Sequence, residues 1–124
     1  DPMTRWCQLV EAYPDIQLIF DTKLAAFHGQ MNLLYEKEYE WLWKDRYIRH
    51  YHVNDYGGGL MDWTNLQTLP LGKGNIDFDA FSSFLKKTGY NGMATVEATA
   101  FNSEGIVDIG ILNDCFDKIR AWEI

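Results

Sequence analysis

Three polar side chains stand at the ends of three apolar segments in this 124-residue chain: Asp21 after Ile16 to Phe20, His52 in Tyr47 to Val53, and Glu97 after Met93 to Val96. Two carboxylates and an imidazole make a hard donor set of mixed oxygen and nitrogen, suited to Mn²⁺, Mg²⁺, Co²⁺ or Zn²⁺. The intervals between them are 31 residues (52 − 21) and 45 residues (97 − 52), each long enough for one βα unit with its loop. Such spacing sets the three side by side at the carboxyl end of a parallel sheet, where α/β folds carry their sites. Strand alternation agrees. Gln17, Ile19 and Asp21 share one face, as do Ile48, His50 and His52, and Met93, Thr95 and Glu97, so all three candidates can point inward together. Plainer roles exist for each: an aspartate after a strand is commonly a helix or turn cap, His50 and His52 also suit core positions, and Glu97 also suits bonding to loop amides.

The elements that position these residues follow from hydrophobic periodicity. Asp1-Pro2 reads as a helix start, with Trp6, Leu9, Val10 and Tyr13 at helical spacing and Pro14 as the stop. Ile16 to Phe20 is a strand apolar enough to be buried on both faces. After a loop holding His28-Gly29, the residues Met31, Leu34, Trp41 and Leu42 mark one face of a helix running to about Lys44, with Glu36, Glu38 and Glu40 toward solvent. Tyr47 to Val53 is the second strand. Asn54 to Gly74 holds five glycines, one proline and two aspartates, a connection long enough to be a lid or binding loop. Asp77 caps a helix with Phe78, Phe81, Phe84 and Leu85 inside and Gly89 as its terminator. Met93 to Glu97 is the third strand, and Ile106, Ile109, Leu112, Phe116 and Ile119 line a final helix. The order α-β-α-β-α-β-α, with no hairpin signal, predicts an α/β fold of parallel strands joined by right-handed crossovers.

Composition narrows the function classes. Eleven basic against 18 acidic side chains leave a formal charge of −7, and no Lys/Arg cluster exceeds Lys86-Lys87, which argues against a nucleic-acid partner. No apolar run reaches the roughly 20 residues of a membrane span, and no basic-then-apolar leader precedes the first helix; the expected partners exclude a membrane and the expected compartment is the cytoplasm. Cys7 and Cys115 form no metal or disulfide pattern and read as reduced and partly buried. Five Trp, 7 Tyr and 7 Phe suffice for a dense core or a sugar-sized pocket.

At Asp21-Thr22, His50-Tyr51-His52-Val53-Asn54-Asp55, Leu69-Pro70-Leu71-Gly72-Lys73-Gly74-Asn75-Ile76-Asp77-Phe78, Gly89-Tyr90-Asn91-Gly92 and Val96-Glu97, the chain resembles the xylose isomerase-like TIM-barrel superfamily. The sugar phosphate isomerase/epimerase group is the nearest part of it, with ketose 3-epimerases and endonuclease IV as relatives. The resemblance covers nearly the whole chain in order and spacing. It implies the C-terminal three βα units, strands six to eight, of a (β/α)8 barrel. It also implies a divalent metal held by Asp21, His52 and Glu97 together with a glutamate on strand five, outside this chain. In the epimerase members two metal-bound glutamates flank the substrate, one removing and one returning a proton next to the carbonyl, while the metal stabilises the enediolate; Glu97 would be the catalytic one of that pair present in this chain. The chain departs from the pattern at Leu24 and Thr68, where relatives carry histidines, and both losses weaken a multi-zinc phosphodiester-cleaving site.

Around the three ligands, Asn54 and Asp55 are candidates to reach substrate hydroxyls or orient the imidazole, or else are turn formers. Lys23 and His28 are candidates for a substrate oxygen or phosphate, with a solvated loop position as the alternative. Trp63 is placed to stack on a sugar face or to pack on its own loop. The expected activity is that of a metal-dependent sugar or sugar-phosphate isomerase or epimerase, inactive as this segment alone. The alternatives are a non-catalytic fragment or binding scaffold and, less favoured, a metal phosphodiesterase acting on abasic DNA. A complete barrel needs about 250 residues. Three strands leave open edges and an uncovered face with Ile19, Ile48 and Met93, so the expected partner is a missing N-terminal half-barrel or further copies of the chain.

Overall fold

The computed structural model describes residues 2–97 and 101–124. Helix α1 spans Pro2–Ala12 and stops short of Pro14; the expected capping role of Asp1 lies outside the described residues. Val10 is buried and Trp6 and Leu9 pack on the core, but Tyr13, expected on the same apolar face, is exposed. Strand β1 follows at Leu18–Asp21. Asp21 caps the next helix at once, so α2 occupies Thr22–Phe27, where a loop is expected. Two 3₁₀ turns (Met31–Tyr35 and Lys37–Tyr39) and a single α-helical turn, α3 (Trp41–Lys44), replace the expected continuous helix. The apolar spacing there is met without helical continuity: Leu34, Tyr39 and Leu42 are buried from three separate short pieces.

Strand β2 spans Ile48–Val53. A hairpin follows that the sequence pattern does not announce, β3 (Asp55–Gly57) pairing antiparallel with β4 (Gln67–Leu69). Its strands are three residues each and the residues between them far exceed a two-residue turn, so the usual hairpin signal has nowhere to appear. Helix α4 (Phe78–Thr88) is capped by Asp77, whose Oδ1 accepts from the Ala80 amide at 2.9 Å, and it ends on Gly89 at φ 65°. That left-handed geometry suits glycine best. Strand β5 (Met93–Val96) and helix α5 (Ile109–Ala121) complete the chain. Helix α5 starts at Ile109 behind its cap Asp108, later than expected, and of its predicted apolar face Ile109 and Phe116 are exposed, as is Ile106 before it; Cys115 is the residue it buries fully.

The main sheet is wholly parallel, in the order β1-β2-β5. Leu18, Phe20, Tyr51 and Val53 point to the helical side, where Leu34, Leu42, Phe81, Leu85 and Cys115 close a core. Phe27, Tyr56 and Ile76 form a second, smaller cluster beneath the hairpin loop. The opposite face is open: Ile19 is 53% and Met93 66% exposed. Ile48, expected on that open face, is instead 3% exposed, and Arg49 is exposed. The register shifts between Leu18 and Ile19, pairing Leu18 with Ile48 and Ile19 with His50, and that irregularity inverts the alternation at the start of β2. Cys7 and Cys115 are both free thiols. Among the described residues no helix is long and apolar enough to cross a membrane.

Candidate metal centre

The parallel register aligns Asp21 with His52 and His52 with Thr95, so three adjacent strands deliver their carboxyl ends to one spot. Asp21 is the last residue of β1 and the cap of α2: its Oδ1 accepts from the Leu24 amide at 2.8 Å. Its other oxygen, Oδ2, lies 4.0 Å from His52 Nδ1. The cap and the site thus draw on different oxygens of one carboxylate. Glu97 Oε1 lies 3.7 Å from the same ring nitrogen, His52 Nδ1. One ligand atom from each of the three residues falls within 4.8 Å of the other two. All three side chains are partly sheltered, Asp21 most and Glu97 least.

A divalent cation with bonds of about 2.1 Å holds neighbouring ligand atoms roughly 3.0–3.4 Å apart. The observed separations, 3.7 and 4.0 Å to the imidazole and at most 4.8 Å overall, are wider by less than about 2 Å, within reach of side-chain rotation. Two carboxylates gathered at one imidazole nitrogen repel unless a cation lies between them. The donor set, its spacing and its charge therefore fit a hard or borderline divalent ion.

A second layer surrounds the trio. Asn54, at the end of β2, is fully buried, and its Nδ2 donates to Glu97 Oε2 at 2.6 Å. Its Oδ1 accepts from the Lys23 amide at 3.2 Å. Both ends of the amide are engaged, so Asn54 braces its neighbours, and the group it touches is the glutamate, not the imidazole. Thr22 holds the Asn54 main chain from both sides: its Oγ1 donates to Asn54 O at 2.7 Å and accepts from Asn54 N at 3.1 Å. No sequence pattern singles out this buried threonine; its adjacency to Asp21 is the only trace of its role. His50 turns away to a bond of 2.7 Å between its Nε2 and Thr95 Oγ1, with its ring edge-on to His52 at 4.9 Å.

Asp55 corrects the expectation more sharply. Its carboxylate is fully buried and accepts from four backbone amides, those of Tyr56, Gly72, Gly74 and Ile76, at 2.9–3.1 Å. It organises the loop before α4 and has no oxygen left for a substrate. Lys23 Nζ donates to Thr68 Oγ1 at 3.1 Å, tying the start of α2 to β4. His28 shares Nδ1 with the Leu24 carbonyl at 2.7 Å and lines a mainly apolar pocket of about 230 Å³ that Trp6, Ile19, Asp21 and Leu24 also line. The pocket thus opens beside one edge of the trio. Trp63, 61% exposed, packs on Phe27 with ring centres 4.6 Å apart and on His28 at 5.9 Å, so it covers the end of α2.

The sequence pattern of the xylose isomerase-like TIM barrel matches residues 1–112. No curated protein matches the chain.

Proposed function

The chain belongs to the xylose isomerase-like TIM-barrel family, and from that premise we propose that it carries the strand-end metal site of a sugar or sugar-phosphate isomerase or epimerase. The observation that carries this reading is the convergence of Asp21, His52 and Glu97 at the carboxyl ends of three adjacent parallel strands. On this reading Asp21 and His52 hold a divalent ion from two sides and Glu97 from a third. A bound divalent ion supplies Lewis-acid polarisation of substrate carbonyl and hydroxyl oxygens. Glu97, the most exposed of the three, has the additional role of moving a proton at the carbon next to the carbonyl. His28 and Lys23 are assigned to outer substrate oxygens or a phosphate. The chain's three parallel strands are assigned to positions six to eight of the barrel, with a preceding half-barrel supplying the remaining strands and a fourth, glutamate ligand. Among the described residues both edges of the main sheet lack a partner strand, and these edges and the open face at Ile19 and Met93 support that assignment, since a closed barrel has neither.

The nuclease reading is disfavoured by Leu24, Thr68 and the charge of −7. A scaffold without catalysis is favoured by one observation, the same open face. The test is stoichiometric Mn²⁺ binding by this chain, followed in the completed barrel by exchange of a carbon-bound hydrogen of a ketose with D₂O. Binding and exchange both lost on His52→Ala support the isomerase reading. Absence of saturable metal binding by the completed barrel, even with Mn²⁺ or Co²⁺ in excess, sinks it.

A further inference from the structure

Glu97 follows β5 directly, and an unrestrained glutamate there has three free side-chain torsions. The structure removes that freedom through one neighbour. Asn54 is 0% exposed, and its main-chain N and O are both taken by Thr22 Oγ1. Its Oδ1 receives the Lys23 amide at 3.2 Å. The Lys23 amide is a donor only, so it requires the oxygen end of the Asn54 amide to face it. The nitrogen end must then face Glu97, where Nδ2 to Oε2 is 2.6 Å. Turning the amide over would set two donors against each other and an oxygen against a carboxylate. The orientation is therefore dictated by chemistry, and the donor has one destination.

We propose that Asn54 is a positioning residue for Glu97: it engages Oε2 and leaves Oε1 as the single oxygen offered to a divalent cation beside His52. This rests on the metal reading above. Oε1 is the oxygen 3.7 Å from His52 Nδ1, so the observed split of the carboxylate matches one-oxygen ligation. The tether also joins the ends of all three strands, since Thr22 and Lys23 follow β1, Asn54 follows β2 and Glu97 follows β5. Aspartate at position 54 would set two anions against each other, and leucine would fill the same volume without a donor.

The first arm of the test needs no metal. In the full chain one Asn54 Nδ2 proton resonates downfield of those of the exposed Asn113, and Glu97→Ala moves it upfield; an unchanged resonance overturns the proposal. In the second arm, Asn54→Leu, checked for native fold by circular dichroism, weakens Mn²⁺ binding by about 10- to 100-fold. The same substitution adds nothing in the Glu97→Ala background, which a merely structural role for Asn54 does not predict. Undiminished Mn²⁺ affinity in folded Asn54→Leu overturns the tether while leaving the metal site standing. If the unmodified chain binds no Mn²⁺, the proton resonance alone decides whether the tether exists. Should Asn54→Leu fail to fold, the first arm still decides, because Glu97 lies outside both core clusters and its truncation leaves them untouched.

Discussion

Asp55→Ala separates loop architecture from the metal site. The carboxylate of Asp55 accepts four backbone amides, and its removal leaves all four without their partner. Gly72 and Gly74 are exposed residues, so their amides can turn to water at little penalty. Tyr56 and Ile76 are buried, and their amides stay dry. Each buried, unsatisfied donor costs about 1–3 kcal/mol, so the two together cost about 2–6 kcal/mol. Against a typical total of about 5–15 kcal/mol, that is a large fraction from one side chain remote from the surface. Urea unfolding followed by tryptophan fluorescence measures the loss, and amide exchange at residues 72–76 should speed up well beyond the rest of the chain. A loss below about 1 kcal/mol, with unchanged exchange in that segment, refutes the reasoning that these bonds are net stabilising. Mn²⁺ binding, if Asp55 is only a loop organiser, changes little in the folded variant.

Three further outcomes follow from particular contacts. Asp21→Asn should leave stability within a few tenths of a kcal/mol, because asparagine caps helices as well as aspartate does, while weakening Mn²⁺ binding at least tenfold; thermal melting and metal titration of the same sample check both halves. Gly74→Ala should unfold the loop or the domain, since a Cβ there runs into the Tyr56 carbonyl and the Asp55 carboxylate; equal melting temperatures for the two proteins contradict it. Burial holds the Tyr51 hydroxyl well above its ordinary value, and burial followed by the charge of Asp77 pushes Tyr35 up to about 12. The folded chain then keeps protons that the unfolded chain loses above about pH 10, so stability is level below that point and falls as pH rises through about 10 toward 12. Tyr51 Oη is buried without a partner among the described residues, so Tyr51→Phe should match the unmodified protein near neutrality and lose less stability between about pH 9 and 11, measured by urea midpoints.

How far the sequence discloses this fold depends on whether a feature is local. Asp77 and Gly89 mark both ends of α4, because a cap and a left-handed terminator are chemistry of single residues. The three parallel strands and their order are legible because period, length and intervening helices agree. Asp21, His52 and Glu97 are brought together as expected because parallel register aligns equivalent strand ends. Less accessible are features decided by distant partners. The segment from Met31 to Lys44 keeps its apolar spacing but breaks into short turns, since burial of Leu34, Tyr39 and Leu42 rewards position and not helical continuity. Ile48 turns inward because of a register shift that spacing alone does not encode. Asp55 looks like a site residue by adjacency to His52, yet its partners lie at residues 72–76, beyond any local window. Thr22 and Asn54 are a similar case, 32 residues apart and linked by two hydrogen bonds.

An electron paramagnetic resonance titration of the chain with Mn²⁺ reads the Asp21, His52 and Glu97 trio as a metal site without a substrate. One saturable site per chain is expected, weakened by each of Asp21→Asn, His52→Ala and Glu97→Gln in folded protein. Binding that is absent, or that survives all three substitutions unchanged, contradicts it.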